Sequence, residues 1–448
     1  MSETLQQLSE HTLERALKAG ADQADVLAVN GIAEEVDVLG EKLEKIERSE
    51  GRDIGLRVIV GARQACVSVS DSSERAINDM VERALAMAKA APDDPNCHLA
   101  EPDQLSATRD ADALDLYDDS QVPTTDALKE NALEAEAAAL AVDDVTKTQG
   151  ASASYSTTEI FMAASNGFRG GYKRSGFSTS CVAIAGNGLE MERDWAGEMR
   201  VFQDDLPAAE EIGTLAGKRA VERFGANRAP MGSYPVLFDE RISSTLIGHL
   251  LSAINGASIT RGSSWLKEDL GQKILPSGLD LIEDPLRPRI SGSKPFDAEG
   301  LATTKRKIID DGVLAGWTLD LSTARQLEMH STANAGRGVS SPPSPGAGNI
   351  ALTQSANSKA DLMAQMGTGL LVTSLIGSTI NPNTGDYSRG ASGFWVENGE
   401  ITYPVNEITI AANLRDMLGH MQPANDARMH LSRVIPSLLV ESMIIASS

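Results

Sequence analysis

Basic residues are scarce in this chain. Lys and Arg total 40 against 63 Asp and Glu over 448 residues, a formal charge of -23. Nucleic acid and anionic bilayers are gripped by clustered Lys and Arg, so neither is an expected partner. Cysteine is scarce too. Cys66, Cys97 and Cys181 stand far apart and share no Cys-x-x-Cys spacing, which excludes a disulfide framework and points to a reducing compartment. Six histidines are present, and none forms the i, i+4 pair that opens many zinc helices. No run of about 18 apolar residues exists, so no membrane-spanning helix is expected. The first residues, Met-Ser-Glu-Thr-Leu-Gln-Gln-Leu, lack the basic start and apolar core of a signal peptide, and the expected location is the cytoplasm. The chain also lacks a Gly-x-Ser-x-Gly elbow, a Gly-x-x-x-x-Gly-Lys phosphate loop and a Gly-x-Gly-x-x-Gly after a strand.

What is present is a repeated change of period. Leu5, Leu8, Leu13, Ala16 and Leu17 predict an amphipathic helix over 3–19, ending at Gly20. Strands are predicted at Ala24–Val29, Glu35–Leu39, Lys42–Arg48, Ile54–Val60 and Ala65–Val69, punctuated by Gly31, Gly40, Gly51 and Gly61. Asp71-Ser72-Ser73-Glu74 then opens a helix that Pro92 ends. Residues 93–123 are rich in Asp and Pro and read as an acidic linker or loose surface crossing. The next unit repeats the order. A helix over 125–142 precedes strands at Lys147–Tyr155, Glu159–Ala164, Gly170–Ser180, Cys181–Ala185 and Glu190–Val201, and a helix follows over 206–224. The expected domains are therefore 1–92, 124–228 beyond the linker, and 229–448. The expected class is α+β, with helix-flanked antiparallel sheets in the N-terminal part and a β-rich C-terminal domain.

The last domain carries the most specific local signals. Asn398-Gly399 lies between Phe394-Trp395-Val396 and Ile401-Thr402-Tyr403, which predicts a tight hairpin with both turn residues at positive φ. Upstream, Asn381-Pro382-Asn383-Thr384-Gly385-Asp386 is a turn-rich loop. Residues 336–348, rich in Gly, Pro and Ser, read as a long irregular loop, a lid, a binding loop or a disordered segment.

The run Asn-Pro-x-Thr-Gly-Asp-Tyr-Ser-Arg-Gly-Ala-x-Gly-Phe-Trp-Val-Glu-Asn-Gly-Glu-Ile, from Asn381 to Ile401, resembles the C-terminal signature of the TldD/PmbA family, on its PmbA (TldE) side. The stretch from Gly51 to Gly61 resembles the family's N-terminal motif. TldD-type members resemble zinc peptidases with a His-Glu-x-x-x-His helix and a further ligand near the C-terminal loop. The corresponding stretch here is similar to that motif only at its last position. Ser244 stands at the first His position, Thr245 at the Glu position and His249 at the second His position. Hydroxyls replace neither a strong zinc ligand nor a carboxylate base.

The resemblance therefore implies a PmbA/TldE-type subunit of a metallopeptidase that acts on small or unfolded peptides. No cofactor is expected on this chain, and the zinc is expected in a TldD-type partner. Asn381, Asp386, Arg389 and Trp395 are the candidate substrate-binding residues. The alternative is a homodimeric peptide-binding protein with no chemistry of its own.

Overall fold

The computed structural model describes residues 4–120, 122–188 and 191–447. Glu3 of the predicted opening helix and Glu190 of the predicted strand lie outside the described residues. Helix α1 (Leu5–Lys18) opens on a capping box. The Thr4 hydroxyl accepts from the Gln7 N–H, and the Gln7 side chain accepts from the Thr4 N–H.

Fewer strands follow than the glycine spacing predicts. Ala24–Val29 and Glu35–Leu39 belong to one strand, β1 (Gln23–Val38). Lys42–Arg48 and Ile54–Val60 likewise belong to one strand, β2 (Leu43–Val60). Gly31 and Gly51 are cross-strand partners in the middle of this ladder, and neither has a positive φ. A glycine weakens a strand, but it does not end one when the ladder holds on both sides. The turns fall instead at Gly40 and Gly61, with φ of 61° and 60°. Strand β3 (Arg63–Val69) and helix α2 (Glu74–Ala90) complete the first unit. The second unit runs α3 (Thr125–Leu140), β4 (Val145–Ala164), β5 (Arg169–Ala185), β6 (Glu192–Arg200) and α4 (Ala209–Glu222).

These units share one antiparallel sheet in the order β3-β2-β1-β4-β5-β6. The order reads alike from either edge, a local two-fold arrangement. Its seam is the β1–β4 ladder, from Asp25 opposite Ala164 to Val38 opposite Ala151. Alternate residues of β1 fill the helical side. Ala24 and Val26 pack with α1 and α2, and Val36 and Val38 pack with α3 and α4. All four helices therefore cover one face.

Residues 93–123 run along the sheet. Short turns at Pro102–Gln104 and Asp112–Leu114 bury Leu99, Leu114 and Leu116. The Ser175 N–H donates to the Leu116 carbonyl, and Asp118 accepts from the N–H groups of Ser120 and Gln203. The acidic crossing is thus tied down by the backbone donors it passes.

In the C-terminal part, β7 (Gly232–Phe238) leads into helix α5 (Glu240–Ala253). Strands β8 (Gly369–Ile380), β9 (Asp386–Glu397), β10 (Glu400–Asn413) and β11 (Leu438–Ser447) follow. They order β10-β9-β8-β7-β11, and β10 also pairs with β11, so the sheet closes on itself. Only the β7–β8 contact is parallel among these pairs. A smaller sheet uses Leu281–Glu283, Arg306–Asp310, Val313–Leu314, Ile350–Leu352 and Arg433–Val434. Asn398 and Gly399 have φ of 52° and 80°, the backbone that the tight turn requires. The class is the α+β arrangement the sequence predicts, with a β-rich C-terminal part.

The loop at 336–348 is held rather than loose. Gly336 pairs with Ser344. The Arg337 side chain is fully buried and donates to Asp25 of β1, which also pairs with Arg57 of β2 at 2.5 Å. The loop passes so near β2 that a Cβ on Gly55 would stand 2.1 Å from the Val339 carbonyl oxygen.

Candidate functional site

Helix α5 carries the stretch that the sequence aligns with a metal-binding motif. Asp239 starts it by accepting from the Arg241 N–H. Ser243, Leu246, Ile247 and Leu250 bury its inner side, which leaves Ser244, Thr245 and His249 half-buried. The Thr245 hydroxyl is occupied by the Ile242 carbonyl at 2.6 Å. The His249 ring stands edge-on to Tyr387 of β9, with ring centres 5.8 Å apart. Burial, with the Arg389 guanidinium adding to it, pushes His249 below its ordinary value and keeps the ring neutral.

These residues do not fit a zinc ion. One imidazole with two hydroxyls is not a zinc donor set. No group of three His, Cys, Asp or Glu that could hold a metal occurs among the described residues. The cysteines are elsewhere. Cys66 sits in β3 and Cys181 in β5, and burial pushes both thiols up, Cys181 to about 12.

A cavity of about 800 Å³ lies between α5, β8, β9 and the β5–β6 edge of the first sheet. Thr245 and Arg389 line it, together with Thr373, Ile376, Trp195 and Arg241. The other predicted residues are dispersed. Asn381 is exposed in the turn before β9, and Asp386 is the exposed first residue of β9. Asn381 accepts from the Asn383 N–H, and Asp386 accepts from Thr384 and Asn413, so both shape their own loop. Trp395 is core. It is 1% exposed, stacks edge-on to Tyr234 and donates its indole N–H to Glu397. It cannot meet a ligand, which corrects its place among the substrate-binding candidates. The physical reason is packing on both faces of this end of β9, where Phe394 and Val396 are buried as well. Trp395 faces inward on β9, in the same apolar cluster as Tyr387 and Ala391.

Sequence reasoning missed the ionic seam beside the cavity. Asp194 of β6 meets Arg241 at 3.2 Å and Arg223 at 3.7 Å. Asp239 also holds Lys359 at 2.9 Å. Glu198 collects Arg200, Arg428 and His430. The Asp194–Arg241, Glu198–Arg428 and Glu198–His430 pairs fasten β6 to the C-terminal part across long separations in sequence. The one local trace was Asp239-Glu240-Arg241 in the first turn of a helix.

The site thus belongs to a three-part α+β chain whose helix α5 carries Ser244, Thr245 and one histidine, His249. The chain belongs to the PmbA/TldD family, on the PmbA/TldE side. Residues 24–88 match PmbA/TldA metallopeptidase domain 1, residues 117–224 its central domain and residues 231–447 its C-terminal domain. The chain is 36% identical over 450 residues to the metalloprotease PmbA homolog of Haemophilus influenzae, covering 99% of this chain and 96% of that one. It is 37% identical over 408 residues to metalloprotease PmbA of Escherichia coli O157:H7, covering 90% and 88%. Among solved structures, a putative modulator of DNA gyrase from Bacteroides thetaiotaomicron superposes with a TM-score of 0.91 at 26% identity, covering 98% of each chain. TldE from Thermococcus kodakarensis shares the fold at a TM-score of 0.85 and 20% identity, covering 98% and 100%.

Proposed function

We propose that this chain is the non-catalytic subunit of a PmbA/TldD-type metallopeptidase. A TldD-type paralogue supplies the zinc, and this chain supplies one wall of the peptide-holding chamber. The observation that carries the reading is α5, where Ser244 and Thr245 stand at the His and Glu positions of the motif and His249 is left against Tyr387. The open edge of β8 supports the peptide-holding part. β7 pairs with β8 only at Leu370–Val372, so Ser374–Ile380 leaves one backbone edge unpaired among the described residues. Ile376 on that edge is 71% exposed and lines the cavity. Such an edge is a template for an added strand, and natural sheets rarely leave one uncovered. The ligand is then a short or unfolded peptide held by its backbone.

The test is metal content and cleavage, measured on the purified chain with and without a TldD-type paralogue. The expected result is zinc far below one per chain, no cleavage by the chain alone, and co-purification with the paralogue. Near-stoichiometric zinc with peptide cleavage, both lost in His249→Ala, overturns the reading. Peptide binding that the paralogue leaves unchanged, with no association between the two, favours the homodimeric binding protein instead.

A further inference from the structure

Four guanidinium groups face the large cavity, those of Arg193, Arg223, Arg241 and Arg389. Arg223 is matched by Glu192 and Asp194, and Arg241 by Asp194 and Asp239. Arg193 donates to Gln149 at 2.9 Å. Arg389 differs from Arg223 and Arg241. Its Nε donates to the Gly377 carbonyl at 2.7 Å, and no acidic side chain pairs with it among the described residues. Gly377 has a φ of 67° and sits where the β8–β9 register slips between Ile376 and Thr379. The kink therefore anchors one side of the guanidinium, and its charge meets no carboxylate among the described residues.

The carboxylates that share the lining, Glu192 and Asp194, are taken up by Arg223 and Arg241. Tyr387 leaves the same face of β9 as Arg389, two residues along. Its hydroxyl is buried with the Arg389 guanidinium beside it, and Nε2 of His249 is buried too. Burial pushes the Tyr387 hydroxyl up to about 12, against the pull of the Arg389 charge. At the cavity wall, the Thr373 hydroxyl is also buried and unpartnered. A guanidinium charge that no carboxylate balances favours a bound anion. A guanidinium fork suits a planar carboxylate.

We propose that this cavity is a carboxylate pocket that seats the C-terminal end of a peptide. The carboxylate pairs with the terminal nitrogens of Arg389 and accepts from the Thr373 hydroxyl. The preceding residues run along the open edge of β8, past Ile376. The helix position that lost its metal ligands thereby becomes an end-stop for the chain's own ligand. The inference rests on the peptide-holding reading above and adds the chemical group recognised.

The experiment is calorimetric titration of the full chain with one unstructured peptide in three forms: free C-terminal acid, C-terminal amide, and amide with an internal Glu. The free acid is expected to bind at least about tenfold tighter than either amide, in line with the worth of a charge-assisted pair. Arg389→Gln is expected to remove that difference. Thr373→Val is expected to reduce it several-fold, and since it deletes an orphan hydroxyl while keeping the shape, the fold survives it. Equal binding of acid and amide overturns the pocket, as does the absence of binding to any form. Tight binding of the internal-Glu amide overturns the terminal assignment, because the carboxylate is then a side chain. The two readings fail separately. Equal binding removes the carboxylate pocket and leaves the subunit reading untouched. Zinc with cleavage by the lone chain removes the subunit reading and leaves the acid preference readable.

Discussion

Asp25→Asn tests how the C-terminal loop is tied to the first sheet. Asp25 is 2% exposed, and Arg57 beside it is 3% exposed. The Nε of Arg57 donates to Oδ2 of Asp25 at 2.6 Å, and Arg337 reaches the other carboxylate oxygen. Burial works against the Asp25 charge. The guanidiniums of Arg337 and Arg57 outweigh it and hold the carboxyl below its ordinary value. The cluster already carries one cation more than Asp25 balances, and two Arg337 nitrogens have no partner. Removing the carboxylate leaves two buried guanidiniums facing each other. Breaking a buried pair by deleting one partner costs about 3–5 kcal/mol. Arg337→Met differs, because Asp25 and Arg57 remain a balanced pair. Its cost is that of hydrogen bonds to a charged group, about 1.5–3 kcal/mol. The assay is urea unfolding followed by tryptophan fluorescence, with limited proteolysis of 336–348 alongside. The expected order is Asp25→Asn well below Arg337→Met, with the loop cut faster in both. A change under about 1 kcal/mol for Asp25→Asn, or a reversed order, refutes the account.

Four further substitutions test other parts of the structure. Gly55→Ala places a methyl against the Val339 carbonyl, so it is expected to lift the loop, cost about 1–3 kcal/mol and speed proteolysis at 336–348. A result at wild-type stability and protection removes the close approach. Burial, with the Asp297 carboxylate adding to it, pushes Glu299 from 4.5 up to about 8. A carboxyl raised on folding binds its proton more tightly in the folded state, so its contribution is full below 4.5 and is lost as pH rises through about 8. Glu299→Gln is expected to flatten the fall of the urea midpoint over that window, and an unchanged slope counts against the shift. Trp395→Ala is expected to cost about 3–5 kcal/mol as a core deletion. Asn381→Ala, in an exposed turn, is expected to stay within about 0.5 kcal/mol in the same assay.

The sequence by itself determined the local pieces. The capped helices, the positive-φ turn at Asn398-Gly399 and the α+β class follow from short-range rules that act within a few residues. That Ser244 and Thr245 offer hydroxyls rather than an imidazole and a carboxylate is likewise a property of the sequence alone. Other features depended on partners distant in the chain. Gly31 and Gly51 look like breaks until their ladder pairs them with each other. The first two units look separate until β1 and β4 join edge to edge. The loop at 336–348 looks free because nothing local shows that Arg337 reaches Asp25, 312 residues away. Trp395 and Arg389 lie on one strand and both looked available. The closure of the sheet buries the first in the core, and the kink at Gly377 turns the second toward the cavity. Side-chain direction along a strand is local, but the face that becomes interior is decided only when the sheets pack.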